Sequence, residues 1–178
     1  MSDTLGVKLN IHSNLTGGSL NNLRGKIVLE DIILNNQKYV WETDSVTVKA
    51  QETENNLNEI LIESPFLNGN ITGEYKVDKV YSTLMQTLDE YFPFSNLYSQ
   101  SDSTITNTLD EPLNLKAELY LSDLTDISKL FTEDLKEFDT ASILLNLDNE
   151  LNTVNLEVQA PKVVFSDMVF ENIFVTTN

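Results

Sequence analysis

Over most of this chain apolar and polar residues alternate, and that habit restricts the fold to strands with one greasy and one wet face. Val7, Leu9 and Ile11 alternate with Lys8, Asn10 and His12; Val46, Val48 and Ala50 alternate with Thr47 and Lys49. Leu113, Leu115, Ala117, Leu119 and Leu121 continue the pattern, as do Ile143, Leu145 and Leu147, then Val154, Leu156, Val158 and Ala160. A period of two is the signature of a half-buried β-strand. Asn-rich breaks fall between the runs at Asn35-Asn36, Asn55-Asn56, Asn68-Gly69-Asn70 and Asp148-Asn149-Glu150. Asn and Gly tolerate the left-handed conformations of tight reversals, so these read as turns. The expectation is a mainly β chain, an elongated antiparallel meander.

Two stretches near opposite ends share one grammar. Gly25-Lys26-Ile27-Val28-Leu29-Glu30-Asp31-Ile32-Ile33-Leu34 aligns without a gap against Ser166-Asp167-Met168-Val169-Phe170-Glu171-Asn172-Ile173-Phe174-Val175. An apolar triplet, an acid, an Asp or Asn and a second apolar triplet suggest a recurring strand–corner–strand unit. Such a unit buries its apolar face only when a neighbour stacks on it. The second copy runs into Thr176-Thr177-Asn178, so the expectation is a single β-rich fragment, 1–178, of a longer repeat protein. The polar stretch 95–112 is the one place for an internal boundary.

Two short amphipathic helices are expected to interrupt the meander. Val77, Val80, Tyr81, Leu84, Met85, Leu88 and Phe92 form one stripe that Pro93 ends. Leu124, Ile127, Leu130 and Phe131 form a second, with Ser122 or Asp123 as its N-cap. In a β protein such stripes serve mostly to cover a sheet.

Composition narrows the function classes. The 11 Lys and Arg stand against 28 Asp and Glu, a net charge of −17, and no basic run offers phosphates a surface; nucleic acid is not an expected partner. Without cysteine there is no disulfide frame, zinc–thiolate site or thiol nucleophile. No run approaches the ~20 apolar residues of a spanning helix, and Met1-Ser2-Asp3-Thr4 does not read as a secretion signal. The only histidine, His12, sits on the polar side of a strand without a nucleophile or an orienting acid nearby in sequence. Glu52-Thr53-Glu54, Glu133-Asp134 and Asp148-Asn149-Glu150 lack the spacing of a hard-cation loop. Neither Gly17-Gly18 nor Gly69 with Gly73 precedes a helix as a phosphate loop must. No enzyme chemistry, metal or cofactor is expected.

The order of segments resembles a known family. Leu23-x-Gly25-Lys26-Ile27-x-Leu29-x-x-Ile32 precedes Tyr39-Val40-Trp41 and Asp44-Ser45-Val46-Thr47-Val48. Ile62-x-Ser64-Pro65-Phe66-Leu67-x-Gly69-x-Ile71-x-Gly73-x-Tyr75 follows, then Tyr91-Phe92-Pro93. Leu113-x-Leu115-x-Ala117-x-Leu119 leads into Leu124-x-x-Ile127-x-x-Leu130-Phe131, and Ala160-Pro161-x-Val163 into the Phe170-x-Asn172-Ile173 copy. In pattern and spacing, residues 5–178 resemble the C-terminal region of TamB-like translocation and assembly module proteins of the AsmA-like superfamily, in their Bacteroidetes-type form. The resemblance implies a taco-like sheet curled around a hydrophobic groove. It further implies a soluble periplasmic portion of an inner-membrane-anchored parent, movement of phospholipid acyl chains, and an outer-membrane assembly partner engaged through that parent. It supplies no catalytic residues.

The groove lining expected on this reading is Ile27, Leu29, Val46, Val48, Ile60, Ile62, Ile71, Leu115, Ala117, Leu119, Ile143, Leu145, Val154, Leu156 and Val158. In a closed sandwich the same side chains would be ordinary core, and alternation alone does not separate the two. The alternative function is therefore a cell-surface β-sandwich for binding or adhesion. With Trp41 as the only tryptophan, a sugar-stacking platform is not expected. Exposed edge strands would also permit a homodimer.

Overall fold

The structure, a computed structural model, describes residues 5–77, 113–148, 150–151 and 153–177. Within these, ten strands form one antiparallel sheet: β1 (Gly6–Thr16), β2 (Arg24–Asn35), β3 (Val40–Glu52), β4 (Asn58–Glu63), β5 (Leu67–Glu74), β6 (Asn114–Ser122), β7 (Leu135–Phe138), β8 (Thr140–Asp148), β9 (Thr153–Phe165) and β10 (Met168–Thr176). Their order is β1-β2-β3-β4-β5-β6-β8-β9-β10, with β7 pairing β9. The sheet does not close, and β1 and β10 are its two edges. A sandwich divides its strands between two sheets; here all ten share one.

The sheet is curled. Leu15 on β1 and Tyr75, just past β5, line the same cavity of about 130 Å³. On a flat sheet β1 and β5 would stand four strand spacings apart, roughly 19 Å. A space that small has walls on both only if the strands between them wrap around it.

Side chains close most reversals as the composition suggested. The Asn36 Oδ1 accepts from the backbone N–H of Lys38 (2.8 Å) and Tyr39 (2.6 Å), bending β2 into β3. Asn56 takes a left-handed φ of 60° between β3 and β4, and Asp148 Oδ1 accepts from Leu151 N–H at 3.0 Å after β8. One expected turn is not there: Asn68-Gly69-Asn70 lies inside β5. The reversal falls instead at Ser64–Phe66, where the Ser64 hydroxyl both donates to Leu67 O and accepts from Leu67 N–H at 2.8 Å. Gly69 makes room within the strand, because a Cβ there would lie 2.5 Å from Leu119 Cδ2 and displace that side chain.

The two copies of the repeated decapeptide share a real corner. Asp31 has φ 52° and its counterpart Asn172 has φ 53°, both left-handed. At the first corner β1 carries a register shift between Lys8 and Asn10, and Asn10 Nδ2 donates to Asp31 Oδ2 at 2.9 Å. At the second, Pro161 of β9 lies beside Lys162, whose carbonyl accepts from Asp139 N–H at 3.4 Å in the gap between β7 and β8. A proline cannot donate to the ladder, and it is placed where the neighbouring strand is interrupted.

Of the two expected helices, the stripe from Val77 to Phe92 lies almost wholly outside the described residues. The second shrinks to one turn, α1 (Thr125–Ser128). Its N-cap is Leu124, without a side-chain capping bond, and not Ser122 or Asp123; Asp123, one residue earlier, accepts at Oδ1 from Thr125 N–H at 3.3 Å. Leu130 is buried but Phe131 is 70% exposed, so the stripe does not continue. The residues after α1 bridge the sheet instead. Asn36 Nδ2 donates to Leu130 O at 3.0 Å, and Lys38 pairs with Glu133. Trp41 meets Phe66 edge-on at 5.3 Å. This bridge sits where β4 and β5, six and eight residues long, fall short of the twelve and thirteen of β2 and β3.

Candidate functional site

Strand register gathers the expected lining onto one face. Directly opposed residues of an antiparallel pair share a face, so the pairs can be followed across the sheet. Leu29 opposes Val46, and Ile27 opposes Val48. Val48 opposes Ile62, and Ala50 opposes Ile60. Ile60 opposes Ile71, Ile71 opposes Ala117 and Ala117 opposes Leu145. Leu145 opposes Leu156, while Leu119 opposes Ile143 and Ile143 opposes Val158. Leu115 opposes Leu147, which opposes Val154. All the lining residues expected from the sequence therefore lie on one continuous apolar face.

Their accessibility differs. Leu115, Ala117 and Val154 are buried in a core with Tyr75, Leu113 and Leu147, against which Ile60, Ile71 and Leu145 pack. Ile27, Leu29, Val46, Val48, Ile62, Leu119, Ile143, Leu156 and Val158 are partly accessible. The face is thus filled at its middle strands and accessible to either side, and among the described residues no second sheet faces it.

The same ladders extend this face further than the sequence reading took it. Ile11 and Leu15 join through Leu29 and Gly25, and Val175 joins through Val158. Ile11 (64% exposed) and Val175 (47%) are its most open members, at the two edges. Alternation in β1 pointed to Ile11; only register placed it beside Leu29. Gly25 and Gly73 let adjacent strands approach closely. Their φ values are 130° and 154°, and a Cβ would come 2.0 Å from Asn14 O and 1.9 Å from Asn114 O.

Polar groups stitch the end of the face near the small cavity. Arg24 Nη2 donates to Asn58 Oδ1 at 2.8 Å, and Asn58 Nδ2 donates to Tyr75 O at 2.8 Å. Burial pushes the Tyr75 hydroxyl above its ordinary pKa, opposed by the Arg24 charge and reinforced by Glu59. The opposite face carries the charges. His12 lies 3.3 Å from Glu30 there, both well exposed, and Lys116 lies 2.6 Å from Glu118, which raises the lysine's pKa. On the bridge, the hydrogen bond from Lys38 holds the Glu133 carboxyl below its usual range.

Among the described residues no three His, Asp or Glu side chains gather as a metal site, and no helix is long and apolar enough to cross a membrane. What the arrangement offers is an extended apolar surface. Comparison with protein-family models, characterised proteins and solved structures gave no match.

Proposed function

We propose that this chain is a segment of a lipid conduit, its apolar face receiving phospholipid acyl chains on their way across a cell envelope. The observation that carries the reading is the continuous apolar face from Ile11 and Leu29 at one edge, through Val48, Ile62, Leu119 and Ile143, to Val158 and Val175 at the other. An acyl chain in water exposes CH₂ groups at ~0.8 kcal/mol each, so a tail of about sixteen carbons meets a barrier on the order of 10 kcal/mol. A continuous greasy surface removes most of that barrier without chemical specificity. Nine strand positions cover eight spacings, about 38 Å, more than twice the roughly 15 Å of one leaflet's hydrocarbon. Past the filled middle, a tail can pass from strand to strand along the partly accessible Ile62, Leu119 and Ile143 without returning to water. The likeness in segment order to TamB-like proteins supports the same reading, with a periplasmic setting and an outer-membrane assembly partner for the parent chain.

The test is photo-crosslinking from Val48 and Leu119 in the presence of phospholipid, with native mass spectrometry of the purified protein. Lipid adducts are expected at both positions, and Val48→Asp or Leu119→Arg should lower lipid occupancy about tenfold or more while the β-sheet circular dichroism persists. Occupancy unchanged in both variants, or no lipid at either position, would overturn the proposal.

A further inference from the structure

The face opposite the apolar row holds a second feature. Tyr120, Ser142, Gln159 and Phe174 are directly opposed in turn across β6, β8, β9 and β10, and so form one straight row on that polar face. Beyond them the chain turns its second corner, at Asn172, and β7 breaks from β8 just before Thr140. The corner hollows the surface into a transverse furrow of about 660 Å³, within the range of roughly 300–1,000 Å³ typical of small-ligand sites.

The chemistry of the furrow is unlike that of the chain around it. Charged residues make up 22% of the sequence, yet none lines this hollow. An exposed aromatic ring stands at each end, Tyr120 at 50% and Phe174 at 58% exposure. The two are three strand spacings apart, about 14 Å. Between them lie the Ser142 hydroxyl and the Gln159 amide, and the Thr140 hydroxyl and Asn172 amide line the hollow beside this row. Gln159 Nε2 donates to Glu157 Oε1 at 2.6 Å, which engages the amide nitrogen and not the amide oxygen.

We infer that this furrow binds a neutral glycan. The C–H face of a pyranose packs against the electron-rich face of an aromatic ring, and its hydroxyls exchange hydrogen bonds with Ser, Thr, Asn and Gln groups that both donate and accept. Two rings with hydroxyls and amides between them match a short run of sugar units. An anionic ligand has no cation here to meet it. A proline-rich peptide docks between closely spaced aromatic ridges, whereas these rings are separated by polar groups. With a single tryptophan, Trp41, no sugar-stacking platform is expected from the sequence. Tyr120 and Phe174 are 54 positions apart, and only strand pairing brings them into one row.

The test is an ¹⁵N-resolved NMR titration with two neutral probes, hexamers of β-1,4-linked glucose and of β-1,4-linked N-acetylglucosamine. Saturable shifts are expected at residues 120–122, 140–142, 159–161 and 172–174 with at least one probe. Tyr120→Ala and Phe174→Ala should each weaken binding roughly three- to tenfold; both side chains are exposed, so the variants are expected to fold. Val48→Asp, on the opposite face, should bind the glycan unchanged. Absence of shifts with both hexamers, shifts confined elsewhere, affinity indifferent to both aromatic substitutions, or occupation of the furrow by a proline-rich peptide but by neither sugar would each overturn the inference.

Discussion

Single residues on the apolar face do different jobs, and their replacement should cost accordingly. Leu147 is 2% exposed in the core beside Leu115 and Val154, so Leu147→Ala should destabilise by about 2–5 kcal/mol in urea denaturation. Gly73→Ala should cost about 3 kcal/mol without removing any side chain, because its Cβ meets backbone rather than a movable neighbour. If it melts like the parent protein, the close approach of β5 and β6 is not required. Tyr75 gives a pH prediction. Its folded pKa is raised above the ordinary value of 10.0 by burial, so its contribution is complete below about 10 and is lost as pH rises through the raised folded value. Tyr75→Phe should flatten this part of the alkaline stability profile, and identical profiles for the two proteins would refute it.

Elements show how far the sequence could be read. Strand existence was legible because alternation reports one-sided burial directly, and the repeated decapeptide reported a corner before its geometry was known. Asn68-Gly69-Asn70 misled because composition cannot tell a glycine that reverses a chain from one that makes room for Leu119 across a ladder. The second helix was overextended because Leu130 fits the stripe while Phe131, next to it, points to solvent. The bridge from Asn36 and Lys38 to residues 130–133 had no sequence signal, since those partners lie more than ninety positions apart, and β7, with four residues, is too short to show alternation. Two predictions belong here. Asn172→Val should cost about 1–2 kcal/mol, the penalty for a β-branched side chain at left-handed φ. Lys38→Met should speed amide exchange in residues 123–134 while leaving the β8–β9 ladder protected; uniform exchange in both regions would show that the bridge does not depend on that ion pair.

At the scale of the whole molecule, period-two reading located the apolar face, but the furrow on the other side was invisible to it. That hollow depends on four strands arriving in one register, and spacing along the chain does not encode which residues end up abreast. The face itself was legible for the opposite reason, since each strand announces its greasy side alone and the ladder only has to add them. Among the described residues the sheet has two unpaired margins, β1 and β10, and each hairpin adds a slice of the apolar face. Such a ribbon sets no ceiling on its own length. Adding or deleting a hairpin would change the distance served while leaving the cross-section intact, so reach becomes a quantity counted in hairpins rather than a property of any one residue.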